Sequence, residues 1–139
     1  MSQDIVIKTP PVNKLYESWR DVPADMWPWL YFTPRELACR GTGSLLVDVD
    51  AIDRLERMRG IVGKPFIITS AYRSPLHNAR VGGAPRSFHK LGRAFDIRLQ
   101  GHVKGYLMEI AREVGFGGVA ARRNSFIHVD TGRMRTWEY

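Results

Sequence analysis

Cysteine is almost missing from this sequence. Cys39 stands alone, so no disulfide can form within the chain and no cysteine-rich structural zinc site can be assembled. A lone cysteine of this kind reads as a small buried apolar residue. No apolar run approaches the ~18 residues that cross a bilayer, so a spanning helix and membrane insertion are not expected. The opening residues, MSQDIVIKTPP, lack the basic start and apolar stretch of a secretory signal. The expectation is a protein made soluble in the cytoplasm without a signal peptide. Internal repeats and low-complexity tracts are also missing. So are recognition-helix motifs and aromatic ribonucleoprotein patterns, and nucleic acid is therefore not expected as a partner.

What is present describes an ordinary folded domain. The 139 residues fit one domain and leave little room for a second. Hydrophobic residues at 44% and charged residues at 25% allow a real core, and the expected state is a monomer. The net charge of +7 suits an anionic partner without specifying one, because basic residues are scattered and only Arg122 and Arg123 adjoin. Residues 1–30 carry Pro10, Pro11, Pro23 and Pro28 among Trp19, Trp27 and Trp29. Prolines at that density oppose long regular elements, while the tryptophans favour an arm packed on a body formed by residues 31–139.

Elements can be read from caps and periodicity. Thr33-Pro34-Arg35-Glu36 combines a capping hydroxyl, a proline at the first helical position and an acid three residues on, so a short helix starts there. A second helix begins at Asp48 or Asp50, carries Ile52, Leu55, Met58 and Arg59 at helical spacing, and ends at Gly60 or Gly63. Phe66 to Ser70 reads as a buried strand, followed by a long loop from Ala71 to about Phe88. Ala94 to Leu99 alternates, as does Phe126 to Asp130, and residues 103–114 form a third helix ended by Gly115, Gly117 and Gly118. Helices first and then strands imply an α+β fold with a mainly antiparallel sheet flanked by helices.

Chemistry concentrates in two segments. His89 closes the loop, Asp96 follows seven residues later on a strand, and Gly92 between them lets the chain reverse. His128, on another strand, can supply a third ligand. Two imidazoles and one carboxylate leave a fourth zinc position for water, which separates a catalytic site from a structural one. Spacing alone leaves hydrogen-bonded core histidines and a solvated acid as an equally good account.

The segment Ser70 to Ile97 resembles the zinc D-alanyl-D-alanine carboxypeptidase and endopeptidase family, related in fold to the hedgehog signalling domain. Its pattern Ser-x-His-x-x-Gly-x-Ala-x-Asp is met by Ser87, His89, Gly92, Ala94 and Asp96, and its second segment by Phe126-Ile127-His128-Val129-Asp130. Thr131-Gly132-Arg133 and Trp137 resemble its small single-domain members. The resemblance implies that His89, Asp96 and His128 bind zinc, and that Arg73 fixes substrate near the scissile bond. It also implies that Ser87 lies beside the metal, orienting His89 or meeting substrate.

Ser125 stands where many relatives carry the acid that serves as general base. Asp130 is the nearest replacement, as base or as an acid that orients a ligand, and the base role is the expectation taken. His77 is expected to line the substrate cleft, and His102 to lie at the surface. The implied activity is zinc-dependent hydrolysis of a peptide bond in the peptidoglycan stem or cross-link, by a carboxypeptidase or endopeptidase. A phage lysin, reaching the wall after release or export, fits these expectations. The other reading is a wall-binding or protein-binding module on the same fold that does not cut.

Overall fold

The computed structural model describes residues 9–139, so the first eight residues of the expected arm lie outside it. Eleven labelled elements occur in it. In chain order they are β1 (Lys14–Tyr16), α1 (Pro34–Leu37), β2 (Leu45–Val47), α2 (Val49–Val62), β3 (Ile68–Ser70), α3 (Pro75–Arg80), β4 (Ala94–Arg98), α4 (Lys104–Glu113), β5 (Gly118–Arg122), β6 (Phe126–Asp130) and β7 (Arg135–Glu138). Short 3-10 turns cover Trp19–Asp21, Ala24–Met26 and Phe88–Leu91.

The caps act as the sequence suggests. Thr33 and Glu36 close a reciprocal capping box on α1, and Asp48 caps α2 by accepting from Ala51 N at 3.0 Å. Gly63 ends α2 in the left-handed conformation at φ 72°. Ala51, Ile52, Leu55 and Met58 form the buried stripe of α2, while Arg59 instead lays its guanidinium over the Tyr31 ring at 4.3 Å.

Five strands make the main sheet in the order β3-β4-β6-β5-β7, antiparallel throughout except for the parallel pair β5–β7. The α+β, mainly antiparallel expectation holds. One sheet face is apolar. Phe95 and Ile97 of β4, Val119 and Ala121 of β5, and Ile127 and Val129 of β6 join the core with Leu55 of α2 and Leu107 of α4. Because side chains alternate along a strand, that face leaves Asp96, Ala120 and His128 on the other.

Ahead of the sheet, β1 pairs with β2, Tyr16 and Trp29 are buried, and Trp29 donates its indole N–H to Asp53 at 2.8 Å. Residues 14–29 therefore lie on the rest of the molecule.

Two expectations need correction. The stretch after β3 is not a structureless loop, since Ser74 caps α3 and Pro75 takes its first turn. The glycines at 117 and 118 do more than end α4, because Gly118 opens β5 in the middle of the sheet. The helix itself starts one residue later than read, with Val103 as an exposed N-cap.

Candidate active site

Sheet register brings two of the three expected ligands together. Asp96 on β4 sits directly opposite His128 on β6, and the row continues to Ser70 on one side and to Ala120 and Trp137 on the other. His89 comes from outside the sheet, on the 3-10 turn that precedes β4. That turn ends at Gly92 with φ 67°, and a Cβ there would strike the backbone carbonyl of Leu46. Only glycine allows both the left-handed turn and the close passage that returns the chain to Asp96.

The three side chains are buried and face one another. His89 Nε2 lies 3.2 Å and His128 Nδ1 3.0 Å from the same oxygen, Asp96 Oδ1. Neighbouring corners of a tetrahedral zinc site with ~2.0 Å bonds lie about 3.3 Å apart, so the spacing suits an ion of that size. The outward nitrogens have partners of their own. His89 Nδ1 is 2.7 Å from Ala71 O, and His128 Nε2 is 2.7 Å from Asp130 Oδ2. A carbonyl can only accept, so His89 donates from Nδ1 to Ala71 and leaves Nε2 as the nitrogen that faces inward. Both imidazoles are thus oriented the way metal-binding histidines are. The group could hold a metal ion.

Asp130 occupies a different position from the one a base needs. Its side chain is fully buried. Oδ1 accepts from Gly132 N at 2.9 Å and from Arg135 Nη1 at 2.9 Å, and Oδ2 accepts from Arg135 Nη2 at 2.7 Å and faces His128. A general base must offer an oxygen to the reacting water, and both oxygens here are taken. The expectation of Asp130 as base is corrected on that ground. The geometry is that of a carboxylate holding a histidine.

The charges follow from these contacts. Burial alone would raise the Asp96 pKa, but hydrogen bonds from His128 and His89 outweigh it and bring the carboxyl down to about 2. Asp130 is likewise held below the usual carboxylate range, with burial overcome by His128, Arg135 and the Gly132 N–H. Burial opposes charge on His128, yet the carboxylates of Asp130 and Asp96 on its two nitrogens raise its pKa.

The trio opens on a cleft of about 310 Å³ lined by Arg73, Ser87, Arg122, Phe126, Trp137 and Tyr139. Arg73 stands close by, its Nη2 3.6 Å from Asp96 Oδ2. Ser87 lines the cleft too, and its hydroxyl accepts from His89 N at 3.1 Å, capping the turn that carries His89. His77 does not line it. Its ring lies on α3 against Gly41, where a Cβ would overlap the imidazole. The folding of that stretch into α3, which the loop reading missed, turns His77 away. His102 is partly buried and approaches Pro65 O through Nε2 at 3.0 Å. A larger hollow of about 480 Å³, between Trp19, Trp27 and Arg35, has no potential metal ligand in its walls.

Sequence reasoning passed over Gly118, Arg122, Arg135 and Tyr139. The available signal was the alternation Gly118-x-Ala120, small residues on one face, against Val119 and Ala121 on the other. That is a strand pattern whose outer side must be thin.

Residues 30–130 match the Peptidase M15 model, a span that includes the three converging side chains and Asp130, and the chain belongs to that family of metallopeptidases. It is similar to the peptidoglycan L,D-endopeptidase MepK of Escherichia coli strain K12, at 33% identity over 99 residues covering 66% of this chain and 54% of that protein. The probable peptidoglycan L,D-endopeptidase MepK of Haemophilus influenzae is 38% identical over 85 residues, covering 57% of this chain and 46% of that protein. The chain spans about half the length of these curated relatives. Among the described residues, no helix is long and apolar enough to cross a membrane.

Proposed function

We propose that this chain is a zinc-dependent endopeptidase acting on the peptide part of peptidoglycan, with His89 Nε2, Asp96 and His128 Nδ1 as the metal ligands. The observation that carries the reading is the pairing of both outward imidazole nitrogens, with Ala71 O and Asp130, while both inward nitrogens meet at Asp96 Oδ1. Family membership and the names of the relatives support the substrate class. Zinc held there supplies Lewis acidity toward a carbonyl and an acidified water.

The chain's own residues do the rest. Asp130 keeps His128 in the tautomer that presents Nδ1, and Arg135 keeps Asp130 ionised. Arg73, braced by Ser70 and Asn78, presents a guanidinium beside the ligand carboxylate, where charge develops on a peptide carbonyl. Trp137 and Tyr139 wall the cleft and leave less room for bulk water.

Mass spectrometry of purified peptidoglycan digested with the zinc-loaded chain tests this. New amine termini at one stem or cross-link bond are expected, together with loss of both activity and stoichiometric zinc in His89→Ala. Cleavage that persists in a zinc-free His89→Ala protein would overturn it.

A second reading keeps one observation in its favour. Among the described residues lining the cleft, Asp96 bears the only side-chain carboxylate, so no separate acidic side chain is at hand as base. That suits a module that binds wall peptide without cutting. Tight binding of muropeptides with no new amine ends, in zinc-saturated protein, would favour it.

A further inference from the structure

Two arginines face the cleft in unequal states. Arg73 is braced by the protein, donating through Nε to Ser70 Oγ at 2.9 Å and through Nη1 to Asn78 Oδ1 at 3.4 Å, with Nη2 facing Asp96. Asn78 is itself buried and anchored to Ala84 O at 2.9 Å. Arg122 is exposed, and among the described residues no carboxylate lies within ion-pair distance of it and no protein acceptor takes its hydrogens. Its guanidinium stands 5.6 Å from the centre of the Tyr139 ring, a flat support that limits its rotamers.

Register fixes where that free cation points. Arg122 pairs with Phe126, two residues along from the Ala120–His128 pair, so it leaves the same sheet face as the metal trio. Two residues of strand place it roughly 7 Å from the row of Asp96 and His128, about the reach of one extended peptide residue and its side chain. Tyr139 adds a neutral phenol at pH 7, able to donate beside the guanidinium.

We propose that Arg122, supported by Tyr139, is the subsite for a free carboxylate on the substrate residue next to the scissile bond. The favoured substrates are then acidic peptides, and carboxamide forms of the same peptides are disfavoured. This rests on the endopeptidase reading and specifies its substrate. Arg73 holds the reacting end, and Arg122 reads the neighbouring charge.

The test uses matched stem peptides that carry either the free carboxylate or its carboxamide at that residue. Steady-state kinetics on the zinc-loaded chain are compared with Arg122→Gln and Arg122→Lys. The unaltered chain should prefer the acid by roughly fivefold in kcat/KM, expressed mainly in KM, as suits a partly screened guanidinium–carboxylate pair. In Arg122→Gln the acid-to-amide ratio should fall toward one, and Arg122→Lys should restore part of it. Titration calorimetry of both peptides gives the same ratio as binding constants, whether or not they are cut. No cleavage, with an Arg122-dependent acid preference in binding, removes the endopeptidase reading and keeps the subsite. An acid-to-amide ratio that Arg122→Gln leaves unchanged, or no preference in the unaltered chain, overturns the subsite and leaves the endopeptidase reading standing.

Discussion

Arg135 grips Asp130 across the bare backbone of Gly118. The two residues lie on β7 and β6, with β5 between them, and Gly118 is the register partner of both. A bidentate pair at 2.7 and 2.9 Å forms over a strand because that position has no side chain. A Cβ on Gly118 would overlap the Asp130 carboxylate and the Arg135 guanidinium together. Gly118→Ala should therefore break the pair and strand a buried carboxylate, with a loss of about 3 kcal/mol on the scale of severed buried ion pairs. Urea denaturation of the metal-free protein measures it. A loss below about 1 kcal/mol, the size of an exposed pair, would show that Asp130 does not depend on Arg135.

Asp130 can be separated from a catalytic base by one isosteric change. Asp130→Asn keeps an oxygen able to accept from His128 Nε2 but removes the charge and weakens Arg135. If the residue only orients the imidazole, zinc affinity should drop by roughly 10- to 100-fold and saturating zinc should restore most of the turnover. If it moved a proton in the reaction, turnover would stay low at any zinc concentration. Rates measured across a zinc titration distinguish the two outcomes.

Why part of this site was legible in the sequence, and part was not, has a physical explanation. Thr33, Asp48 and Gly63 act through neighbours three or four residues away, so their caps can be read locally. Asp96 and His128 alternate with Phe95, Ile97, Ile127 and Val129, so their common face was also visible. The partner of Asp130 could not be read, because Arg135 meets it across a third strand whose key residue is a glycine. Glycine beside glycine reads as an interruption, and β5 was missed for that reason. Arg122 was hidden in the same way, as half of a basic pair whose direction depends on β5 existing at all. His77 shows the opposite case: its stretch reads as a loop, and α3 turns the ring toward Gly41.

Gly92 offers a test of how His89, the third proposed ligand, is placed. Its φ of 67° and its close approach to Leu46 O both exclude a side chain. Gly92→Ala should destabilise the fold by at least about 1 kcal/mol from the left-handed conformation alone, with steric overlap adding to it. The damage should fall first on zinc binding, since the turn carries His89. Thermal melts and metal stoichiometry should both decline. A variant that melts like the original and holds one zinc would mean that the turn relaxes without moving His89.

The shifted pKa values set how zinc and pH act together on stability. Asp96 falls from 3.8 to about 2 on folding, so its contribution is complete above 3.8 and is lost as pH drops through about 2. His128 moves the other way from 6.5. Its contribution is complete below 6.5 and is lost as pH rises through the raised value, because carboxylates on both ring nitrogens favour the imidazolium. The metal-free site therefore adds most stability between about pH 4 and 6.5. On the proposed ligation, zinc would require the neutral ring and displace the His128 proton, so binding should weaken as pH falls. The rise in Tm between chelated and zinc-loaded protein should grow steadily from pH 5.5 to 7.5, with about 2.7 kcal/mol of stabilisation once free zinc is a hundredfold above its Kd. A zinc-induced rise that stays level or shrinks over that range would mean that His128 is not the ligand giving up a proton.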